Sequence, residues 1–335
     1  MKNFGQIKNV MLIGGGYLMY YFAKIAKESK LNVISITSPR HSIEIITKGK
    51  SLESLLRKES KFYKLKFLGK KEINKILINN NNTLYISFDS PWIFDKTIIK
   101  KYFNNNIINS HSTRLPQDRG GGGFSWRILH QDKFGVCLLH MIDNNKIDAG
   151  QILFYEEFIF PHKLKKPKDY QIFQIEKEKE FLKKFLAKIL NQDNFELSNQ
   201  PEYLSTYFPR LSTPDNGWID WSLRIQELFS FICAFDDPYT GASTFYNKKK
   251  VKIKSVTMTF GDTQFHPYQS GIIYRKTNQW IVVAVNGGSL IIEEVLDNKN
   301  KNILNTLKVG NRFITLRSKI ESSKTRKYFT SLGKK

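Results

Sequence analysis

The chain has 335 residues, 41% of them hydrophobic, enough to bury a sizeable core and more than one small domain needs, so two domains are expected. Its formal net charge of +23 favours polyanions such as nucleic acid, although the abundance of Lys, Asn and Ile also reads as a general compositional bias. Two cysteines in apolar surroundings, Cys137 and Cys233, give neither a disulfide framework nor a thiolate metal site, no histidine cluster has zinc-ligand spacing, and no apolar run reads as a membrane span, so a cytoplasmic protein without a metal is expected.

From the N-terminus, residues 10–13 read as a strand, 14–16 as a glycine turn, 17–28 as a helix and 32–36 as a second strand, the opening of a parallel α/β fold. A dinucleotide site is the rival reading of these glycines. However, Met19 stands where the third fingerprint glycine belongs, and the second strand closes in Thr37-Ser38-Pro39-Arg40 without an acid for a ribose hydroxyl. The glycines are therefore expected to form a tight turn in a Rossmann-like sheet without NAD, with a backbone contact to a phosphate left open. Residues 41–71 combine a polar loop, a helix at 52–59 and a strand near 63–67. Lys48, Lys50, Arg57 and Lys58 make this stretch basic, as a solvated face also would. Residues 84–88 form the next strand, and the loop Asp89-Ser90-Pro91-Trp92 follows at its carboxyl end, where ligands of open α/β sheets gather.

Ile107 and Ile108 open another strand, and because strand side chains alternate faces, Asn109 and His111 share one surface. Pro116, Arg119 and the glycines at 120–123 end it, and Phe124, Trp126, Ile128 and Leu129 restart as a helix. A strand at 135–142 follows, and Asn144, Asn145 and Lys146 form a polar turn that delivers Asp148 within reach of His111. An amide donor can stabilise the oxyanion of a tetrahedral intermediate, and an imidazole with an ordinary pKa of about 6.5 can assist it or move protons. A carboxylate can orient the ring and help deprotonate an attacking amine. Each residue alone would be an ordinary cap or turn residue. Grouped on loops at strand ends, they suggest acyl transfer to an amine.

Residues 154–160 extend the sheet, and Pro161 and Pro167 mark the exit from it. Phe173, Phe181, Leu182, Phe185 and Ile189 then recur at helical spacing over 170–190. A catalytic α/β domain is thus expected over 1–195 and a linker over 196–209, where breakers replace periodicity. Short strands at 251–259, 271–274, 280–285 and 289–295, with a lead-in helix ending at Phe235, give a small β-barrel domain over 210–320. Residues 321–335 read as a basic tail.

Asn109-Ser-His111, Leu115-Pro116, Arg119-Gly120, Trp126, Gly135-Val136 and Ile147-Asp148-Ala149-Gly150 resemble the active-site signature of the folate-dependent formyltransferases. The turn at Asp236-Asp237-Pro238-Tyr239-Thr240-Gly241-Ala242 resembles the one that opens the C-terminal barrel of methionyl-tRNA formyltransferases. The resemblance implies a Rossmann-like formyltransferase domain followed by a small OB-like β-barrel, with 10-formyltetrahydrofolate as formyl donor. It implies that Asn109, His111 and Asp148 are catalytic. Around the folate it places Phe88, Asp89, Ser90, Pro91, Trp92, Ile93, Leu115, Pro116, Ile142 and Ile147, and on the acceptor side Arg114, Arg119, Gly120 and Gly121. The acceptor amine would belong to methionyl-tRNA, favoured by the barrel and the basic charge, or to a nucleotide-linked amino sugar. Thr113-Arg114 before Leu115, and Gly123 where many members carry proline, favour the sugar. Glycinamide ribonucleotide transformylases lack a barrel, which disfavours a purine-pathway role. A non-catalytic RNA-binding protein is the alternative from another class, and the intact trio argues against it.

Overall fold

The computed structural model describes residues 1–76, 82–121, 123–143, 146–330 and 333–334. Seven strands build the first sheet: β1 (Asn9–Gly14), β2 (Asn32–Thr37), β3 (Lys61–Lys64), β4 (Thr83–Phe88), β5 (Ile107–His111), β6 (Phe134–Met141) and β7 (Ile152–Ile159). Their order is β7-β6-β5-β4-β1-β2-β3, with β1 to β5 parallel and β6 and β7 added antiparallel at the β5 edge. β4 is buried along its whole length and β1 from Val10 onward, which is why both read as continuous apolar runs rather than alternating ones. Helix α1 (Gly16–Glu28) lays Met19, Phe22, Ala23 and Ala26 on one face of the sheet, against Val10, Leu12, Leu84 and Ile86.

The strand expected near 63–67 is shifted to Lys61–Lys64 because its partner runs out: Thr37, the last residue of β2, pairs with Lys64. A further helix, α2 (Gly123–Leu129), follows β5, and the long α3 (Pro167–Leu190) buries Phe181, Leu182, Phe185 and Ile189 beside α1. The expected polar turn at Asn144 and Asn145 lies outside the described residues.

The C-terminal part begins with α4 (Ile225–Ala234) and continues as β8 (Ala242–Tyr246), β9 (Lys249–Thr259), β10 (Ile273–Lys276), β11 (Ile281–Val285), β12 (Gly288–Leu296) and β13 (Phe313–Ile314). These form an antiparallel sheet in the order β10-β11-β12-β9-β8-β13. The sheet curls into a half-barrel until its two ends meet, with Ile273 N–H donating to Asn311 O at 2.9 Å and Phe313 N–H to Gly271 O at 2.9 Å. Ile225, Leu228 and Ile232 of α4 plug its interior. Ile128, Phe160 and Tyr170 from the first part join the same apolar cluster, and Ser125 Oγ donates to Ala234 O at 2.7 Å, so the barrel is seated against the sheet domain through a shared core.

The stretch 196–209, expected as a linker, instead crosses the carboxyl end of the first sheet. Tyr207–Phe208 pairs in parallel with Arg119–Gly120, and Thr206 N–H donates to Pro116 O at 3.2 Å. Both cysteines are buried and free. Among the described residues, no helix is long and apolar enough to cross a membrane.

Candidate active site

The site forms where β5 leaves the sheet. Pairing places Asn109 opposite His140 of β6, so both side chains stand on the surface that Asn109 shares with His111. His140 escaped the sequence reading, although a polar residue inside the run Cys137-Leu-Leu-His-Met141 was a visible signal. Its ring is 2% exposed. Nδ1 lies 2.9 Å from Met141 O, and since a carbonyl only accepts, Nδ1 carries the hydrogen. Nε2 is then an acceptor and takes an amide hydrogen from Asn109 Nδ2 at 3.2 Å. Burial, followed by the neighbouring His111, pushes the His140 pKa down to about 4, so the ring is neutral at pH 7.

His111 is assigned by the same logic. Thr113 Oγ1 donates to Asp118 O at 2.7 Å, and His111 Nε2 lies 2.6 Å from Thr113 Oγ1 and 3.2 Å from Asp118 O. The hydroxyl hydrogen is spent on the carbonyl, so Nε2 donates. The rings of His111 and His140 meet edge to face at 5.7 Å. Beneath this loop, the Ser112 hydroxyl donates to the fully buried Glu178 of α3, whose pKa burial pushes up.

Asp148 sits at φ +54°, a left-handed conformation uncommon for a side chain other than glycine. Its Oδ2 accepts from Gly120 N–H at 2.9 Å, and its Oδ1 lies 3.7 Å from His140 Nε2. The carboxylate therefore binds the Gly120 amide and faces His140, where contact with His111 was expected. One nitrogen each of His111 and His140 and one Asp148 oxygen still lie within 4.8 Å of one another. Such spacing could suit a cation, but the Asn109 amide already occupies the His140 lone pair.

The expected folate residues divide by environment. Phe88 and Leu115 are buried in packing, Phe88 against Phe22 and Leu115 with Val136 and Leu138. Asp89 adopts φ +46°, Ser90 Oγ caps Trp92 N–H at 3.2 Å, and Pro91 lies between them. Trp92 and Ile142 both pack against the second apolar layer of the sheet, whereas Ile93 is 84% and Ile147 47% exposed. Leu115–Pro116 is a cis peptide.

The expected acceptor residues serve other partners. Arg119 is 4% exposed, with Nε donating to Gln200 Oε1 at 3.1 Å and Nη1 to Glu202 Oε2 at 2.9 Å. Two of its N–H groups thus bind the crossing segment. A Cβ on Gly120 would come within 2.5 Å of Tyr207, and one on Gly121 within 2.6 Å of Arg210, so both glycines admit that segment. Arg114 is partly exposed and pairs with Asp132 at 3.1 Å. Sequence periodicity could not show these contacts, because they join residues about eighty positions apart.

Residues 211–312 match the family described as "Formyl transferase, C-terminal domain". A curated relative, methionyl-tRNA formyltransferase of Mycoplasma capricolum subsp. capricolum, is 29% identical over 214 residues, which cover 63% of this chain and 65% of that protein. The match thus spans just under two thirds of that relative's length. A solved structure of WlaRD, a sugar 3N-formyl transferase in the presence of dTDP and 5-N-formyl-THF, has a TM-score of 0.66 at 18% identity, covering 86% of this chain and 98% of that one. The N-formyltransferase from Helicobacter canadensis in complex with folinic acid and dTDP-3-aminofucose also has a TM-score of 0.66 at 18% identity, covering 86% and 99%. At these identities, the structural likenesses establish the fold. The chain is thus similar to formyltransferases in its C-terminal domain and over part of its sequence, and to solved formyltransferases in its fold.

Proposed function

We propose that the protein transfers a formyl group from 10-formyltetrahydrofolate to a primary amine. The observation that carries this reading is the assigned pair of Asn109 and His140. One Asn109 amide hydrogen is held by a neutral, buried acceptor, which leaves the second fixed in direction for an oxyanion. In the step this implies, the amine nitrogen attacks the formyl carbon and the carbonyl oxygen gathers charge beside Asn109 and His111. Asp148 takes the proton shed by the amine. That proton passes to N10 of the folate as the bond between carbon and N10 breaks. Catalysis would belong to residues 1–195, with the barrel over 210–320 holding the acceptor.

Two acceptors fit. Methionyl-tRNA is supported by the curated relative and by the net charge of +23, and a nucleotide-linked amino sugar by the structural neighbours. The test is formyl transfer from 10-formyltetrahydrofolate to methionyl-tRNA and to a panel of nucleotide amino sugars, with His111→Ala as control. Transfer to one class, falling on the order of a hundredfold in the variant, is the expected result. No consumption of the folate with any amine would sink the reading.

A further inference from the structure

Gln200 lies in the segment that crosses the first sheet, half-buried, and its amide is fully used. Nε2 donates to Asp148 O at 2.8 Å and to Gly150 O at 2.7 Å, while Oε1 accepts from Arg119 Nε at 3.1 Å. The two carbonyls belong to the loop that carries Asp148, and Arg119 precedes Gly120, whose N–H holds the Asp148 carboxylate at 2.9 Å. One side chain thus ties together the two loops whose meeting places that carboxylate. We propose that Gln200 is a positioning residue for Asp148, holding its left-handed backbone and aligning the Gly120 amide with its carboxylate.

The division of donors and acceptors explains why glutamine suits this position. Both carbonyls can only accept, so the site needs two hydrogens, and the Arg119 Nε–H needs an acceptor. Glutamine supplies all three in one planar group, whereas glutamate would set a carboxylate against two carbonyl oxygens. Nearby Glu202 also binds Arg119 and reaches Lys146 at 2.6 Å, but it is solvent-exposed and touches neither carbonyl. Gly150 runs so close to Met141 O that a Cβ there would lie 1.8 Å away. The Asp148 loop is therefore pinned by Gly150 against β6 on one side and by Gln200 on the other.

This inference rests on Asp148 acting in formyl transfer, so the test reads position and activity separately. Gln200→Glu keeps the shape and the Arg119 contact but removes both donors, and Gln200→Met removes every polar contact at similar size. In the full chain, the Gly120 amide should exchange with solvent at least about tenfold faster in both variants. With the preferred acceptor, kcat should fall at least about tenfold, while KM for the folate and the melting temperature stay close to those of the unmodified protein. Unchanged Gly120 exchange, or a loss of melting temperature that accounts for the loss of rate, would overturn the assignment. Faster exchange in a protein that formylates nothing would uphold the positioning of Asp148 and remove the transferase reading.

Discussion

His140 has both ring nitrogens assigned by what surrounds them, and its position sets how Asn109 is held. Replacing it with leucine keeps the burial and removes the acceptor, so the Asn109 amide loses its orientation. Turnover should fall about ten- to a hundredfold with little change in folate affinity, as read by steady-state kinetics. The depressed pKa also makes a stability claim. Between about 4 and the unfolded value of about 6.5, the unfolded chain binds a proton that the native ring refuses, so His140 makes stability fall as pH drops through that window and contributes no slope above it. Glu178 acts with the opposite sign. Its raised pKa gives a contribution that is complete below the usual carboxylate range and lost as pH rises through the folded value. Glu178→Gln should therefore gain stability relative to the unmodified protein at pH 8 compared with pH 4, as measured by urea unfolding. An equal difference at both values would mean that the carboxyl is not perturbed in the native state.

The helices Gly16–Glu28 and Pro167–Leu190 and the inner strands were legible because their period is local. The alternation that put Asn109 and His111 on one face and the helical spacing over 170–190 both depend only on neighbours within a turn or two. The stretch 196–209 lacked a period and read as a linker, yet its backbone pairs with Arg119–Gly120 and its side chains anchor Asp148. Such contacts leave no repeating trace, because each joins two distant loops once. The turn glycines belong to the same scale. Gly150→Ala would force a Cβ to within 1.8 Å of Met141 O, which must push the Asp148 loop off β6. The variant should melt several degrees lower and lose most of its turnover, whereas Gly16→Ala, with open space around it but φ +79°, should cost on the order of 1 kcal/mol and leave activity largely intact.

Across the whole molecule, the charge of +23 raises the question of the acceptor. A tRNA held by several phosphate contacts releases counterions, so its apparent affinity should fall linearly with salt on logarithmic axes, while a nucleotide sugar should respond weakly. Kinetics across a salt series separate the two, and a shallow slope with tRNA would mean that the charge is compositional. Lys163, Lys165 and Lys166 are not equivalent probes of this effect. Lys166 lies 3.3 Å from the buried Asp236 and Lys254 pairs with Asp237, so these lysines bind the neighbouring carboxylates of that turn. Lys163→Ala with Lys165→Ala is the cleaner pair, expected to weaken a tRNA complex uniformly and to leave a small substrate unaffected.

By itself, the sequence determined the fold class, a mainly parallel α/β part followed by an antiparallel one, and placed Asn109 and His111 on one strand face, because alternation, helical spacing and turn residues are written in neighbouring positions. The tertiary structure decided what each group faces. It brought His140 against Asn109, turned Asp148 toward Gly120 and His140, buried Arg119 under Gln200 and Glu202, and laid a stretch that read as a linker across the site. These outcomes depend on which loops meet once the sheet has formed. Contacts between residues thirty to eighty positions apart are fixed by packing and by the pairing of buried polar groups rather than by local pattern.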